Sequence, residues 1–275
     1  MNGPQQYTAD GATLGFGTVA ADSSALTPVL LLHGLGGSAA DWDGQLAALR
    51  GRRLIIPDLR GFGSNVDAPG PYTIARCAAD VALLLDHLQL ARVDVVGHSM
   101  GGAVALQLTL DHPEHIRRLV LVNSVADFRV HGATRWVEYG LRRMVIALFG
   151  LRGLSRALVR RNFPRPDQVT LRAALSARYG GNRKDVYLAT MSSLVHWSVA
   201  SRLDEVTAPT LVVSGEHDII PMADKVALAD AIRDAELVVV PGSRHATPIG
   251  AADRFNELLL RFLDGSPSHE EDVIG

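Results

Sequence analysis

Val93-Asp94-Val95-Val96-Gly97-His98-Ser99-Met100-Gly101-Gly102-Ala103-Val104-Ala105-Leu106 is the stretch on which the fold of this chain turns. An apolar run too short for a helix stops at Gly-x-Ser-x-Gly, and a run of strong helix formers starts at once. A strand that becomes a helix within so few residues must turn sharply at the serine. Glycines two residues before and two after it remove the Cβ atoms that would collide in that turn. The Ser99 hydroxyl is then pushed out at the sheet edge, with the free N–H groups of a helix N-terminus behind it. Such a position suits a nucleophile and the oxyanion it generates. The pentapeptide alone is a weak sign, since it arises by chance in roughly one chain of this length in ten. The strand before it and the helix after it give it weight, and partners elsewhere must supply the rest.

Working outward, apolar runs of about five residues recur at 29–33, 53–58, 119–123, 210–214 and 236–240. Helical spacing fills 39–49, 73–88, 102–110 and 223–232. Strand–helix alternation with continuously apolar strands predicts an α/β fold, a mostly parallel, doubly wound sheet covered on both faces. Residues 7–18, with Asp10-Gly11 at their centre, predict an antiparallel hairpin at one edge. The alternation breaks once, between Asn123 and Thr210, where helix-prone sequence is interrupted by glycines and prolines. Residues 125–205 are therefore expected to form a helical cap, leaving 1–124 and 206–265 as the core. The polar, acidic tail 266–275 is expected to be disordered.

Composition narrows the classes. The chain has 275 residues, 47% of them hydrophobic, and a net charge of −2, which gives no general attraction for nucleic acid. The lone Cys77 excludes an intramolecular disulfide and a cysteine-rich metal site. No run approaches a membrane span and the first eleven residues are too polar for a signal peptide, so the cytoplasm is the expected compartment. Twenty-five arginines against two lysines suggest a GC-rich bacterial genome. Residues 129–165 hold nine arginines and one acid, Glu138, interleaved with large apolar side chains. The expected arrangement is a cap whose Trp136, Tyr139, Met144 and Leu148 roof a substrate pocket while Arg142 and Arg143 face water, without stable membrane association.

A serine needs a base, and the base needs a carboxylate to hold its tautomer. Of ten histidines, His33 and His98 sit in or beside strand ends, and His112 and His115 lie in a surface turn without the HExxH spacing of a zinc site. His245 follows the 236–240 strand in a loop that opens on the same sheet edge as Ser99. Glu216 and Asp218 both follow the 210–214 strand on that edge. Either could be the acid, with Asp127 the next to consider.

Taken together these landmarks resemble the α/β-hydrolase fold family, close to its cap-bearing esterases and lipases. The matching residues are His33-Gly34-Leu35-Gly36-Gly37, Asp58-Leu59-Arg60-Gly61-Phe62-Gly63, Gly97-His98-Ser99-Met100-Gly101, Gly215-Glu216-His217-Asp218-Ile219-Ile220-Pro221 and His245. The resemblance implies Ser99 as nucleophile, Asp218 as acid and His245 as base, with the backbone N–H groups of Met100 and Leu35 as the oxyanion hole. It leaves the Leu35 and Met100 side chains free to line the pocket. The family often has serine two residues after the last glycine of the Asp-x-Arg-Gly-x-Gly turn, whereas Asn65 stands here. The implied activity is that of a serine carboxylesterase on uncharged, short-to-medium acyl esters, a small-molecule substrate handled without cofactor or metal. A lactonase or carbon–carbon bond hydrolase on the same three residues is the alternative, and a slow-turnover ligand-binding signalling protein a further one.

Overall fold

The computed structural model describes residues 5–21 and 26–265. Eight strands form one sheet in the order β1-β2-β4-β3-β5-β6-β7-β8. They are β1 (Gln5–Ala9), β2 (Ala12–Val19), β3 (Val29–Leu32), β4 (Leu54–Pro57), β5 (Val93–His98), β6 (Ile116–Val122), β7 (Thr210–Gly215) and β8 (Ala235–Val240). The hairpin β1–β2 turns at Asp10 and Gly11, both with positive φ, and β2 lies antiparallel on β4. Every other pairing is parallel. Val29-Leu30-Leu31-Leu32 is buried throughout, as a strand covered on both faces must be.

The helices are α1 (Asp43–Leu46), α2 (Ile74–His87), α3 (Met100–Asp111), α4 (Gly132–Asn162), α5 (Val169–Gly180), α6 (Lys184–Leu194), α7 (Met222–Ala231), α8 (Thr247–Gly250) and α9 (Ala252–Asp264). Side chains of α2 and α3 bury one sheet face, and Phe255, Leu258 and Leu259 of α9 with Trp42 bury the other. The helix expected over 39–49 is shorter. Ala39–Trp42 is a 3-10 turn leading into the single turn α1, because Ala39 N–H is tied to Asp58 Oδ1 at 2.7 Å and Asp41, Trp42 and Gln45 are all buried.

Between β6 and β7 no described residue joins the sheet; Asp127 and Ser198 meet in an isolated bridge, and α4, α5 and α6 fill the interval. Gly150 breaks α4 with φ 64° and ψ −174°. The tail expected to be disordered lies outside the described residues. Among those described, no helix is long and apolar enough to cross a membrane.

Candidate active site

The turn at Ser99 is as tight as its glycines allow. Ser99 has φ 53° and ψ −116°, a conformation that costs a non-glycine residue about 1–3 kcal/mol. The surroundings hold it there: Ser99 N–H donates to Val122 O at 2.9 Å, and Ser124 Oγ donates to Ser99 O at 2.7 Å. A Cβ on Gly97 would run into the Gly101 carbonyl, and one on Gly101 into Leu32 O.

His245 arrives from the loop after β8. Its Nε2 lies 3.0 Å from Ser99 Oγ and its Nδ1 2.6 Å from Asp218 Oδ1. With Nδ1–H donated to the carboxylate, Nε2 is left to accept the serine proton. The two candidate acids separate here. Asp218 is buried against His245, whereas Glu216 is exposed and accepts Gly242 N–H at 2.7 Å. Asp127 is engaged by Arg129 and His131 instead. His98 Nε2 donates to His245 O at 2.8 Å and so holds the His245 backbone in place. Burial, followed by the neighbouring His245, pushes the His98 pKa down to about 4, so it is a neutral donor at ordinary pH.

Asp218 has further partners that the sequence pattern did not single out. Asn123 Nδ2 donates to Asp218 Oδ2 at 2.9 Å, and the Lys225 ammonium lies 2.6 Å from the same oxygen. Burial alone would raise the Asp218 pKa, but the hydrogen bonds and charges of His245 and Lys225 outweigh it and hold the carboxyl well below the usual range. The one available signal for Lys225 was scarcity: it is one of two lysines beside twenty-five arginines.

The backbone expected to hold an oxyanion lies at the start of α3 and in the loop after β3. Met100 is the first residue of α3, whose Gly102 and Ala103 N–H groups fold back to Ser99 O. Gly34, the residue before Leu35, approaches so closely that a Cβ on it would lie 3.4 Å from Ser99 Cβ. His33 stiffens that loop by donating from Nδ1 to Gly34 O at 2.8 Å and accepting Leu59 N–H on Nε2 at 2.9 Å. Side chains between β6 and β7 clasp it from above. Asn182 Nδ2 donates to Gly36 O at 2.7 Å, and Arg178 and Tyr179 both hold Asp41 Oδ1, at 2.8 and 3.1 Å. Asn65, the departure from the usual serine, is buried and bridges Gly15 to Asp58, so it ties the β4 loop to the edge hairpin. Among the described residues, no three His, Cys, Asp or Glu side chains converge into a metal-ligand set.

A family model described as the alpha/beta hydrolase fold matches residues 27–252. The chain belongs to the α/β-hydrolase fold family. Among the relatives of this α/β hydrolase is RutD of Caulobacter vibrioides, whose name proposes carbamate hydrolysis. It is 32% identical over 252 residues, covering 86% of this chain and 90% of the relative. A 2-hydroxymuconate semialdehyde hydrolase of Pseudomonas putida is also 32% identical, over 96% of this chain and 97% of its own length. In structure, the enol-lactonase of Burkholderia xenovorans LB400 superposes with a TM-score of 0.84 at 26% identity, over 94% of this chain and all of the lactonase.

The pocket lining expected for this α/β hydrolase needs correction. Trp136, Met144 and Leu148 turn outward, 52%, 49% and 68% exposed. The inward face of α4 is instead marked by buried Ile146 and half-buried Tyr139 and Val145, which pack on the main core. Helical period explains the exchange: Tyr139, Arg142 and Ile146 share one face at i, i+3 and i+7, and Met144 and Leu148 fall on the opposite one. Arg143 is exposed, as expected, and lies against the Tyr139 ring, but Arg142 is half-buried and its charge acts on Tyr187 of α6. The Tyr187 ring in turn abuts Gly36 in the loop after β3. Met100 also departs from expectation: its side chain is completely buried in the core and lines no pocket.

Proposed function

We propose that this chain is a serine hydrolase of carboxylic esters acting through an acyl-enzyme on Ser99. The observation that carries the reading is the unbroken relay from Ser99 Oγ through His245 to Asp218, at 3.0 and 2.6 Å. His245 Nε2 removes the serine proton as Oγ bonds to the acyl carbon, and the carbonyl oxygen becomes an oxyanion facing the N–H groups of Met100 and Leu35. The imidazolium returns its proton to the leaving alcohol, and the C–O bond breaks. A water deprotonated by the same imidazole then attacks the acyl-enzyme, and Ser99 takes the proton back as the acid leaves. No step in this sequence calls for a cofactor or metal.

With Trp136, Met144 and Leu148 outward, the expected preference for medium acyl chains has lost the lining on which it rested. Half-buried Arg142 favours a second reading, a substrate that carries a carboxylate near the scissile bond. The relatives named enol-lactonase and 2-hydroxymuconate semialdehyde hydrolase point the same way. Labelling and kinetics test both. A fluorophosphonate should add its mass to the peptide bearing Ser99, and the label should vanish in Ser99→Ala. A panel of neutral esters, carbamates, lactones and ring-cleavage diketones should then show its highest kcat/KM with the neutral esters. A preference for an anionic lactone or diketone that disappears in Arg142→Ala would install the second reading instead. Labelling without turnover of any member would favour a slow ligand-binding protein.

A further inference from the structure

Lys225 is completely buried, and its place in the fold is unusual for an ammonium. It lies in the first turn or so of α7, which follows the loop carrying Asp218. Its Nζ is 2.6 Å from Asp218 Oδ2 and 2.9 Å from Ile220 O. Asp218 Oδ1 meanwhile accepts from His245 Nδ1 and, at 3.3 Å, from Ile220 N–H. The carboxylate is therefore shared between two cationic partners, one permanent and one formed only when the base takes a proton. We infer that Lys225 is a positioning residue of this site, whose buried ammonium clamps Asp218 and opposes the charging of His245, so that the base stays available in more acidic medium. The inference rests on the reading of Ser99, His245 and Asp218 as the working relay.

The electrostatic logic follows from charge counting. Without Lys225, His245 would face a bare buried carboxylate, which favours the imidazolium. With Lys225 in place the Asp218–Lys225 pair is neutral overall, and the imidazolium meets a cation on the far side of the carboxylate. The route Nζ–Oδ2–Oδ1–Nδ1 puts the two charges on the order of 7 Å apart. At the effective dielectric suited to such sites, and with partial screening, that amounts to about one pH unit. Burial pulls the Lys225 pKa below the ordinary lysine value, while Asp218 and, after it, Asp224 keep the proton on.

Other groups around the relay do not supply this charge. From β5, the His98 ring lies 5.3 Å from the His245 ring at a tilt of 49°, but is held neutral by burial. From β6, Asn123 is an uncharged donor. Asp224 of α7 is paired with Arg135 of α4. Glu216 and His217 are exposed on the same loop as Asp218, and half-buried Arg244, next to the base, forms no ion pair with Asp218, whose charged partners are Lys225 and His245. A lysine also suits the place better than an arginine, since a thin stem delivers a point charge to one oxygen without displacing Asn123.

The test compares Lys225→Gln, Lys225→Met and Lys225→Arg. The Nδ1 proton of His245, resolved far downfield by NMR and assigned by its loss in His245→Asn, is titrated in each protein. The acid limb of kcat/KM is followed in parallel on whichever substrate the panel selects. Gln and Met should move both transitions upward by about one pH unit, and Arg should leave them within a few tenths of the wild-type value. Gln keeps a donor to Asp218, so it carries the comparison if Met prevents folding. Equal titrations in wild type and Gln, or equal displacements in Gln and Arg, would reduce Lys225 to a packing residue. The NMR arm needs no substrate, so an unmoved resonance condemns the role of Lys225, whereas a moved one without turnover on any panel member condemns only the reading as an ester hydrolase.

Discussion

Asp218→Asn tests the relay and its surroundings at once. The carboxylate accepts from His245 Nδ1, Lys225 Nζ, Asn123 Nδ2 and Ile220 N–H. An asparagine offers one oxygen and one NH2 group, so one side must meet donors with a donor. If the oxygen faces His245, the NH2 group confronts the buried ammonium and the Asn123 amide. If the oxygen faces Lys225, the NH2 group confronts Nδ1 and forces the tautomer in which Nε2 carries a proton and cannot act as a base. The ammonium attracts the amide oxygen, so the second orientation should dominate. Activity should fall by about 10⁴ in kcat/KM, close to 5.5 kcal/mol of barrier. Stability should fall as well, because Asp218 and Lys225 are 1% and 0% exposed and solvent screens neither. Removing one partner of such a pair costs about 3–5 kcal/mol. The double variant Asp218→Asn/Lys225→Met should regain most of that stability and none of the activity. Urea denaturation and kcat/KM on the selected substrate measure the two losses separately. An Asp218→Asn enzyme within tenfold of wild type would refute the assignment of the acid, and a double variant no more stable than the single one would refute the electrostatic account. Glu216→Gln, whose exposed carboxylate accepts Gly242 N–H and lies 3.8 Å from the His217 ring nitrogen, should stay within about twofold.

Three further outcomes follow from the geometry. Ser99→Gly should lose ester turnover by about four to six orders of magnitude yet melt higher than wild type, since glycine accepts φ 53° without strain worth about 1 kcal/mol; a lower melting temperature would contradict the strained turn. His98, whose pKa is lowered to about 4, binds its proton later in the folded than in the unfolded chain as pH falls. The unfolded state is then favoured progressively from about pH 6.5 down to about pH 4, a loss of about 2–3 kcal/mol that His98→Gln should abolish in denaturation curves. Asn182→Ala, which removes the donor to Gly36 O, should lower kcat about tenfold with little change in KM or stability; an unaltered kcat would show that the loop holds its place without that clasp.

The sheet was legible because strands buried on both faces are written as unbroken apolar runs, and each of those at 29–33, 53–58, 93–97, 119–123, 210–214 and 236–240 lies on a strand of the sheet. The edge hairpin was legible from Asp10-Gly11, the two residues that adopt positive φ there. Ser99 and His245 could be placed for a related reason: in a parallel sheet, loops that follow strands open at one edge, so chain order alone brings them together. The 39–49 segment was not legible as a 3-10 turn, because the interactions that shorten it come from Asp58, a loop away. Nor was the rotation of α4. An amphipathic pattern shows that a helix has two faces, but a segment rich in both arginine and large apolar residues does not say which one meets the sheet; contact with the core through Tyr139, Val145 and Ile146 decided that.

Residues alone made the chain order of the landmarks legible: a serine at a forced turn, then an acid and a histidine after later strands, all directed to one sheet edge by local backbone sterics and apolar periodicity. Local pattern left Glu216 and Asp218 both open and the family resemblance pointed to Asp218; their surroundings separate them in three dimensions, with Asp218 buried against His245 and Glu216 exposed beside His217. Only the tertiary structure brought Lys225 to the far oxygen of the Asp218 carboxylate, seven residues on along the chain and inside a helix. Local pattern carries no trace of such a contact, since the partner that makes a buried lysine tolerable is chosen by packing in three dimensions and not by neighbours in sequence.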